Sequence, residues 1–388
     1  MINDTAGVTA ARGFLAAGVA AGISKPGKLD VALVVNQGPE FAAAAVFTSN
    51  RFAAAPVEWS RRVVAAGTLR AVVLNSGGAN ACTGEQGVAD AARMAALAAA
   101  PLGCAPDGVA VASTGLIGEC LPMDRVAAGI TAATAALSPE GGSDAAAAIM
   151  TTDTVSKQAA YVSESGWSVG GMAKGAGMLA PALATMLVVI TTDAVLTPAE
   201  ADTALRAATR VSFDRADSDG CMSTNDTVVL LANGASGVTP GAEFQAGLDA
   251  VCVSLARQLI ADAEGAEHAI TVTVASAATE ADALEVARSI ARSNLFKCAI
   301  AGNDPNWGRV LASMGTTTAA FDPHAVDVSF NKVAVFRAGA PGTPRGEVDL
   351  TPFEVLVEVA LHAGDATAAI WTNDLTHGYV SENADYSS

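Results

Sequence analysis

Gly170-Gly171-Met172-Ala173-Lys174-Gly175-Ala176-Gly177-Met178-Leu179-Ala180-Pro181-Ala182-Leu183-Ala184-Thr185-Met186-Leu187 reads unlike the rest of the chain. It is a glycine-dense turn with one isolated cation, Lys174, followed by a proline-marked approach to the apolar run Met186-Leu187-Val188-Val189-Ile190. That run has the composition of a buried strand. A hydroxyl, Thr185, stands at its mouth behind the very small Ala184. A threonine hydroxyl is a weak nucleophile until a base is held beside it, and an N-terminal threonine supplies that base through its own amine. Cutting the Ala184–Thr185 bond would free an amine with a reference pKa of about 7.7–8.0, suited to general-base work at neutral pH. The same residues also fit a plain connecting turn and a threonine placed for its β-propensity. Two phosphate-loop readings fail on spacing. Lys174 is followed by Gly175 where a Walker A loop needs Ser or Thr, and a strand follows where the dinucleotide fingerprint needs a helix.

Working outward, the runs at 30–36 and 42–48 read as a strand pair, and Ala71 to Leu74 as another short buried strand. The latter runs into Asn75-Ser76-Gly77-Gly78-Ala79-Asn80-Ala81-Cys82-Thr83-Gly84, a loop at a strand's carboxyl end before a helix near 88–100, where sites often sit. The strand from Val109 to Ala112 ends in Ser113-Thr114-Gly115, a pair able to aim a hydroxyl and a backbone N–H at one point. Helices at about 123–137 and 143–150 precede Met150-Thr151-Thr152-Asp153-Thr154, a hydroxyl cluster that could cap a helix or hold a polar ligand. Beyond Thr185 come a helix at 197–213, a turn-rich loop (Asp217 to Asp226), a strand to Ala232 and a long helix at 241–264. That helix ends at Ala263-Glu264-Gly265, where the glutamate opposes the helix dipole. The acids near Asp217 do not close an EF-hand. A strand from His268 to Ala275, a helix at 279–293, the dense turn Gly302 to Arg309, and strands near 325–336, 353–362 and 366–372 complete the fold.

These motifs together, in order, resemble the ornithine acetyltransferase (bifunctional glutamate N-acetyltransferase) family of arginine biosynthesis, and the resemblance covers essentially the whole chain. It implies an α/β fold with β-sheets sandwiched between helix layers in a self-cleaving, N-terminal-nucleophile enzyme. Cleavage at Ala184/Thr185 would give an α chain of residues 1–184 and a β chain of residues 185–388, intertwined in one catalytic unit that associates into a heterotetramer or larger. By resemblance Thr185 is the nucleophile and Thr114 with Gly115 forms the oxyanion hole. Thr151 (chosen over Thr152), Lys174, Thr185, Glu264, Asn383 and Ser388 contact substrate. The reaction implied moves acetyl from N-acetylornithine to glutamate through an acetyl-Thr185 intermediate, with no cofactor and with acetyl-CoA left open as a co-substrate. A hydrolytic amidase or aminopeptidase of the same nucleophile class is the alternative, and an uncleaved binding protein a third reading.

Bulk properties narrow the field. In 388 residues 51% are hydrophobic and 16% charged, enough for a large core. A net charge of −17 argues against a nucleic-acid partner. Six singly placed cysteines with no C-x-x-C pair suggest buried thiols in a reducing compartment. The four histidines, His268, His324, His362 and His377, show no ligand spacing, so no metal is expected. The apolar run from Gly13 to Ile23 lacks a basic flank, and no window is long enough to span a bilayer. The expectation is a cytoplasmic protein without membrane contact.

Overall fold

The computed structural model describes residues 2–3, 7–180 and 186–385. The chain divides into two compact units, one of Met1–Asp214 and Cys221–Leu259, the other of Arg215–Gly220 and Ile260–Ser387.

The first unit carries β1 (Ile2–Asn3), β2 (Phe14–Val19), β3 (Val31–Asn36), β4 (Ala42–Phe47), α1 (Ala55–Val64), β5 (Ala71–Asn75), α2 (Gly84–Leu102), β6 (Val109–Ser113), α3 (Met123–Ala135), α4 (Gly142–Ala148), β7 (Lys157–Val162), β8 (Ser168–Lys174), β9 (Leu187–Thr192), α5 (Pro198–Val211), β10 (Thr227–Ala232) and α6 (Glu243–Ala261). Its strands form a six-stranded sheet, β1-β7-β8-β9-β10-β4, and a four-stranded sheet, β2-β3-β5-β6. The sheets meet face to face. Ala32, Val34, Val72 and Leu74 from one and Met172, Leu187, Val189 and Val229 from the other share a single apolar cluster. On its other face the smaller sheet packs Leu33, Val73 and Val111 against Met94, Ala98, Val126 and Ile130 of α2 and α3. Most strand positions are therefore buried on both faces, which is why these strands read as continuous Val/Leu/Ala runs rather than alternating ones. The order helix, sheet, sheet, helix is the sandwich expected from the sequence.

Two expectations need correction. Residues 31–36 and 42–47 do not pair with each other: β3 pairs with β2 and β5, whereas β4 pairs antiparallel with β10 in the other sheet. The turn at Gln37-Gly38-Pro39 hands the chain across, and Glu40 N–H donating to Asn233 O starts the new ladder. The glycine-dense stretch is also not all turn. Ser168–Lys174 is a fully buried strand, antiparallel to β7 and β9, and the turn begins only after Lys174. Its glycines answer to packing: a Cβ on Gly170 would lie 2.2 Å from Gly7 O, and one on Gly171 would lie 2.9 Å from Leu255 Cδ1 of α6. Because β8 precedes Thr185 and β9 follows it, both halves of the chain contribute to one sheet. Helix α5 begins with a capping box, Thr197 and Glu200 around Pro198.

The second unit carries β11 (Ala269–Ala277), α7 (Glu280–Ala291), α8 (Asn294–Ala301), α9 (Trp307–Met314), β12 (Asp327–Phe330), β13 (Val333–Arg337), β14 (Ala340–Pro341), β15 (Glu354–Ala360), β16 (Ala366–Asn373) and α10 (His377–Asp385). One mixed sheet, β14-β13-β12-β15-β11-β16, buries alternate residues such as Val355, Val357 and Val359 beneath α7, α8 and α9. The predicted strand 325–336 is a hairpin whose turn residues Asn331 and Lys332 adopt positive φ. The dense turn near Gly302 opens α9, with Asn306 Oδ1 accepting from Arg309 N–H as its cap. Helix α6 stops at Ala261, so Glu264 sits in the following turn instead of on the last helical turn. Four cysteines (Cys82, Cys120, Cys221, Cys298) are exposed and only Cys252 is fully buried, against the expectation of buried thiols; all six are unbridged.

Candidate active site

In the first unit the carboxyl ends of β6 and β8 meet the segment after α4. Lys174, the last residue of β8, is only 1% exposed. Its Nζ donates to Thr151 Oγ1 at 2.8 Å and to Thr114 Oγ1 at 3.3 Å. Two of the residues singled out from the sequence are thus brought onto the ammonium of a third. Because Lys174 is the donor to Thr114, the threonine's own hydroxyl proton remains available to a third group.

Gly115 follows with φ +131°, and a Cβ there would sit 2.5 Å from Gly78 N and 2.6 Å from Gly77 C, so only glycine fits. The Gly77-Gly78-Ala79 loop clasps this strand end. Gly78 N–H donates to Thr114 O at 3.0 Å and Ala79 N–H to Leu116 O at 2.9 Å.

Asp153 is the electrostatic centre beneath the lysine. Its carboxylate accepts from Lys157 Nζ at 2.7 Å, Gly175 N–H at 2.7 Å and Thr151 N–H at 3.0 Å, with Lys174 Nζ 3.9 Å away. Burial alone would raise its pKa. The ammonium groups of Lys174 and Lys157 and the bonds it accepts overcome that and hold the carboxyl well below the usual carboxylate range. A third cation approaches from the solvent side, Lys28, whose Nζ donates to Thr151 O at 2.8 Å. Burial lowers its pKa against the opposing pull of Asp153. Lys28 was not legible in the sequence, because Lys25-Pro26-Gly27-Lys28 looks like an ordinary solvated turn. It is placed by Asp30, which accepts the amides of Ala21, Ile23 and Ser24.

The predicted cleavage pair Ala184 and Thr185 lies outside the described residues. Its downstream neighbour Met186 is buried, and the strand it leads into pairs Leu187 with Lys174. Met186 N–H donates to Asp226 Oδ1 at 3.0 Å. Asp226 is wholly buried, and burial pushes its carboxyl pKa well above the ordinary value against the Met186 hydrogen bond and the charge of Lys174.

Two of the remaining predicted contacts, Glu264 and Asn383, belong to the second unit. Asn383 Nδ2 on α10 donates to Glu264 Oε2 at 3.0 Å. Helix α10 is seated on the Gly265 turn: Thr376 Oγ1 donates to Gly265 O at 2.5 Å, and a Cβ on Gly265 would lie 2.1 Å from Tyr379 N. Burial, together with the charges of Glu264 and Asp262, raises the Glu382 pKa, marking a locally anionic surface. Ser388 lies outside the described residues. Among the described residues no cluster of three His, Cys, Asp or Glu side chains could hold a metal ion, and no helix is long and apolar enough to cross a membrane. A groove of about 600 Å³ beside β4, lined in part by Arg61, Asp202 and Arg206, shares no residue with the Lys174 cluster.

An α/β scaffold that buries a lysine between two threonine hydroxyls, beside a Thr-Gly strand end, defines an enzyme site suited to acyl chemistry. The ArgJ family profile matches residues 15–388. The arginine biosynthesis bifunctional protein ArgJ of Thermobifida fusca is 59% identical over 382 residues, covering 98% of this chain and 100% of that one. Its counterpart of the same name in Streptomyces coelicolor is 60% identical over the same share of each. An ornithine acetyltransferase from Mycobacterium tuberculosis, solved with ornithine, is 52% identical over 48% of this chain and 99% of the solved one, with a TM-score of 0.46. The chain belongs to the ArgJ family.

Proposed function

We propose that the chain is a glutamate N-acetyltransferase of arginine biosynthesis that moves the acetyl group of N-acetylornithine to glutamate through Thr185. In the precursor the Thr185 hydroxyl attacks the Ala184 carbonyl, the peptide becomes an ester, and water hydrolyses it. This leaves an Ala184 carboxylate and a free Thr185 amine. The amine then takes the Thr185 hydroxyl proton as Oγ attacks the acetyl carbonyl of N-acetylornithine. The Thr114 hydroxyl and Gly115 N–H donate to the oxyanion; losing one such donor typically costs about 10²–10³ in rate. The C–N bond breaks and ornithine leaves with the proton; the glutamate amine then attacks the acetyl ester, the C–O bond to Thr185 breaks, and N-acetylglutamate leaves as the glutamate amine's proton returns to Oγ through the Thr185 amine. Lys174 pairs with a substrate carboxylate and Glu264 with the ornithine amine, while Thr151, Asn383 and Ser388 are further substrate contacts by family resemblance.

The observation that carries this reading is the convergence of Thr114, Thr151 and Lys174 on one buried point at the end of the strand paired to the one after Thr185. Family membership supports it independently. The products of cleavage, 1–184 and 185–388, stay together and pair into a heterotetramer or larger, in the cytoplasm, without a cofactor. Intact mass tests the first step: two fragments with Thr185 as a new N-terminus, in place of one 38.6 kDa chain, and no cleavage in Thr185→Ala. Double-reciprocal plots test the second, because a shared acetyl-enzyme requires parallel lines. Intersecting lines, or free acetate released without glutamate, would reassign the protein to a different transferase mechanism or to the hydrolases. Substituting acetyl-CoA for N-acetylornithine in the same assay shows whether it is a second donor.

A further inference from the structure

Between the oxyanion strand and the nucleophile strand lie two adjacent side chains to which the reaction above gives no role. Asn225 and Asp226 precede β10 and are 3% and 0% exposed. Asn225 Nδ2 donates both its hydrogens, to Ala79 O at 2.6 Å and to Ser113 O at 2.8 Å, and its Oδ1 accepts from Thr224 Oγ1 at 2.6 Å. Ser113 is the residue before Thr114, and Ala79 belongs to the loop that clasps Thr114 and Leu116. Both N–H donors of this amide are committed to the oxyanion strand end and its clasping loop.

Asp226 faces the other way. Its Oδ1 accepts from Met186 N–H, while Thr227 N–H donates to Met186 O at 3.1 Å, so Met186 is gripped on both sides. A peptide unit is planar, and the unit that carries the Met186 N–H ends at the α-carbon of residue 185. Fixing that N–H fixes the peptide unit that immediately follows residue 185. The second carboxyl oxygen, Oδ2, is buried with no hydrogen-bond partner among the described residues. The neighbouring Thr48 hydroxyl spends its proton on Ser223 O at 2.7 Å.

We infer that Asn225 and Asp226 form a positioning bracket, one holding the strand end that bears Thr114 and Gly115, the other the backbone beside Thr185, which together set the spacing of nucleophile and oxyanion donors. The bracket rests on the functional reading above. It acts in self-cleavage as well as in transfer, because both steps need the same oxyanion donors. A misplacement of about 1 Å in such a geometry can cost on the order of 10² in rate.

The test uses Asn225→Asp, which keeps the shape but removes both N–H donors, Asp226→Ala, which removes the acceptor, and Asp226→Asn, which keeps it. Self-cleavage is followed by intact mass, and kcat is expressed per site counted from the burst of ornithine. Asn225→Asp and Asp226→Ala should each slow cleavage and lower kcat by roughly 10- to 100-fold with KM changed less than about threefold. Asp226→Asn should restore most of what the alanine loses. The double variant should cost less than the product of the singles, as residues acting as a unit do. A purely structural role would lower thermal stability and the number of active sites but leave kcat per site unchanged. If Asn225→Asp does not fold, the two Asp226 variants decide alone. Unchanged rates in Asp226→Ala, a loss expressed in KM, or an Asp226→Asn as impaired as the alanine would each overturn the bracket. A wild-type chain that never cleaves would overturn the functional reading and the bracket with it, whereas a cleaving wild type with unaffected variants removes the bracket alone.

Discussion

Lys157 and Asp153 form an ion pair at 2.7 Å in which both side chains are fully removed from solvent. Pairs of this kind are costly to assemble, but removing one partner strands a buried charge. Asp153→Asn would leave two buried ammonium groups, Lys157 and Lys174, facing a neutral amide. The expected loss is about 3–5 kcal/mol, read from urea or guanidinium midpoints. The half-exposed Arg206–Asp202 pair is the control: breaking it with Asp202→Asn should cost under about 1 kcal/mol.

The sign of the pH dependence follows from the same residue. Asp153 has a depressed pKa in the folded state. Its contribution is therefore complete above the unfolded value of about 3.9 and is lost as pH falls below it toward the folded pKa. The stability difference between wild type and Asp153→Asn should shrink steadily below about pH 4. A gap that stays constant down to pH 3 would show that hydrogen-bond geometry, not charge, carries the effect.

Asp226 titrates in the opposite direction. Its folded pKa is raised by burial, so the folded state keeps a proton that the unfolded chain releases once pH passes about 3.9. Stability attributable to this residue falls as pH rises from there. Asp226→Asn should accordingly be more stable than wild type at pH 7, with the advantage vanishing near pH 4. Equal melting temperatures at both pH values would contradict the buried, proton-holding assignment.

Gly170 offers a packing test. Its missing Cβ leaves room for Gly7 O, which would otherwise lie 2.2 Å away. Both are backbone positions, so neither can swing aside. Gly170→Ala should destabilise by about 1–3 kcal/mol. Gly302→Ala, where the nearest atoms lie 3.4 Å or more from the added carbon, should stay within roughly 0.5 kcal/mol.

The contrast between these positions shows what the sequence carried. Long apolar runs announced β5, β6, β9 and β10, because strands buried on both faces leave an unbroken hydrophobic record. Strand β8 was hidden, since glycines chosen for close approach to Gly7 and α6 look in sequence like glycines chosen for a turn. The pairing of β4 with β10 was likewise illegible, because partner choice across some 180 residues leaves no local trace. At the site, Thr114, Gly115, Thr151 and Lys174 were found through ordered motifs. Lys28, Asp153, Asn225 and Asp226 were not, as each acts through a backbone or charge contact that only the folded chain creates.

The Glu264–Asn383 contact supplies the remaining prediction. Glu264 Oε2 accepts from Asn383 Nδ2, and Glu264 shares its surroundings with Glu382 and Asp262. An anionic surface of this sort suits the ammonium end of ornithine and opposes the side-chain carboxylate of glutamate. A hydrogen bond to a charged group contributes about 1.5–3 kcal/mol, which corresponds to roughly 10- to 150-fold in affinity. Glu264→Gln should therefore raise KM for N-acetylornithine by about that factor, with a smaller effect on kcat, and leave KM for glutamate unchanged or lowered. Asn383→Ala, which removes only the neutral support, should do less. A parallel rise in both Michaelis constants would mean that Glu264 orders the site as a whole and does not distinguish the two substrates.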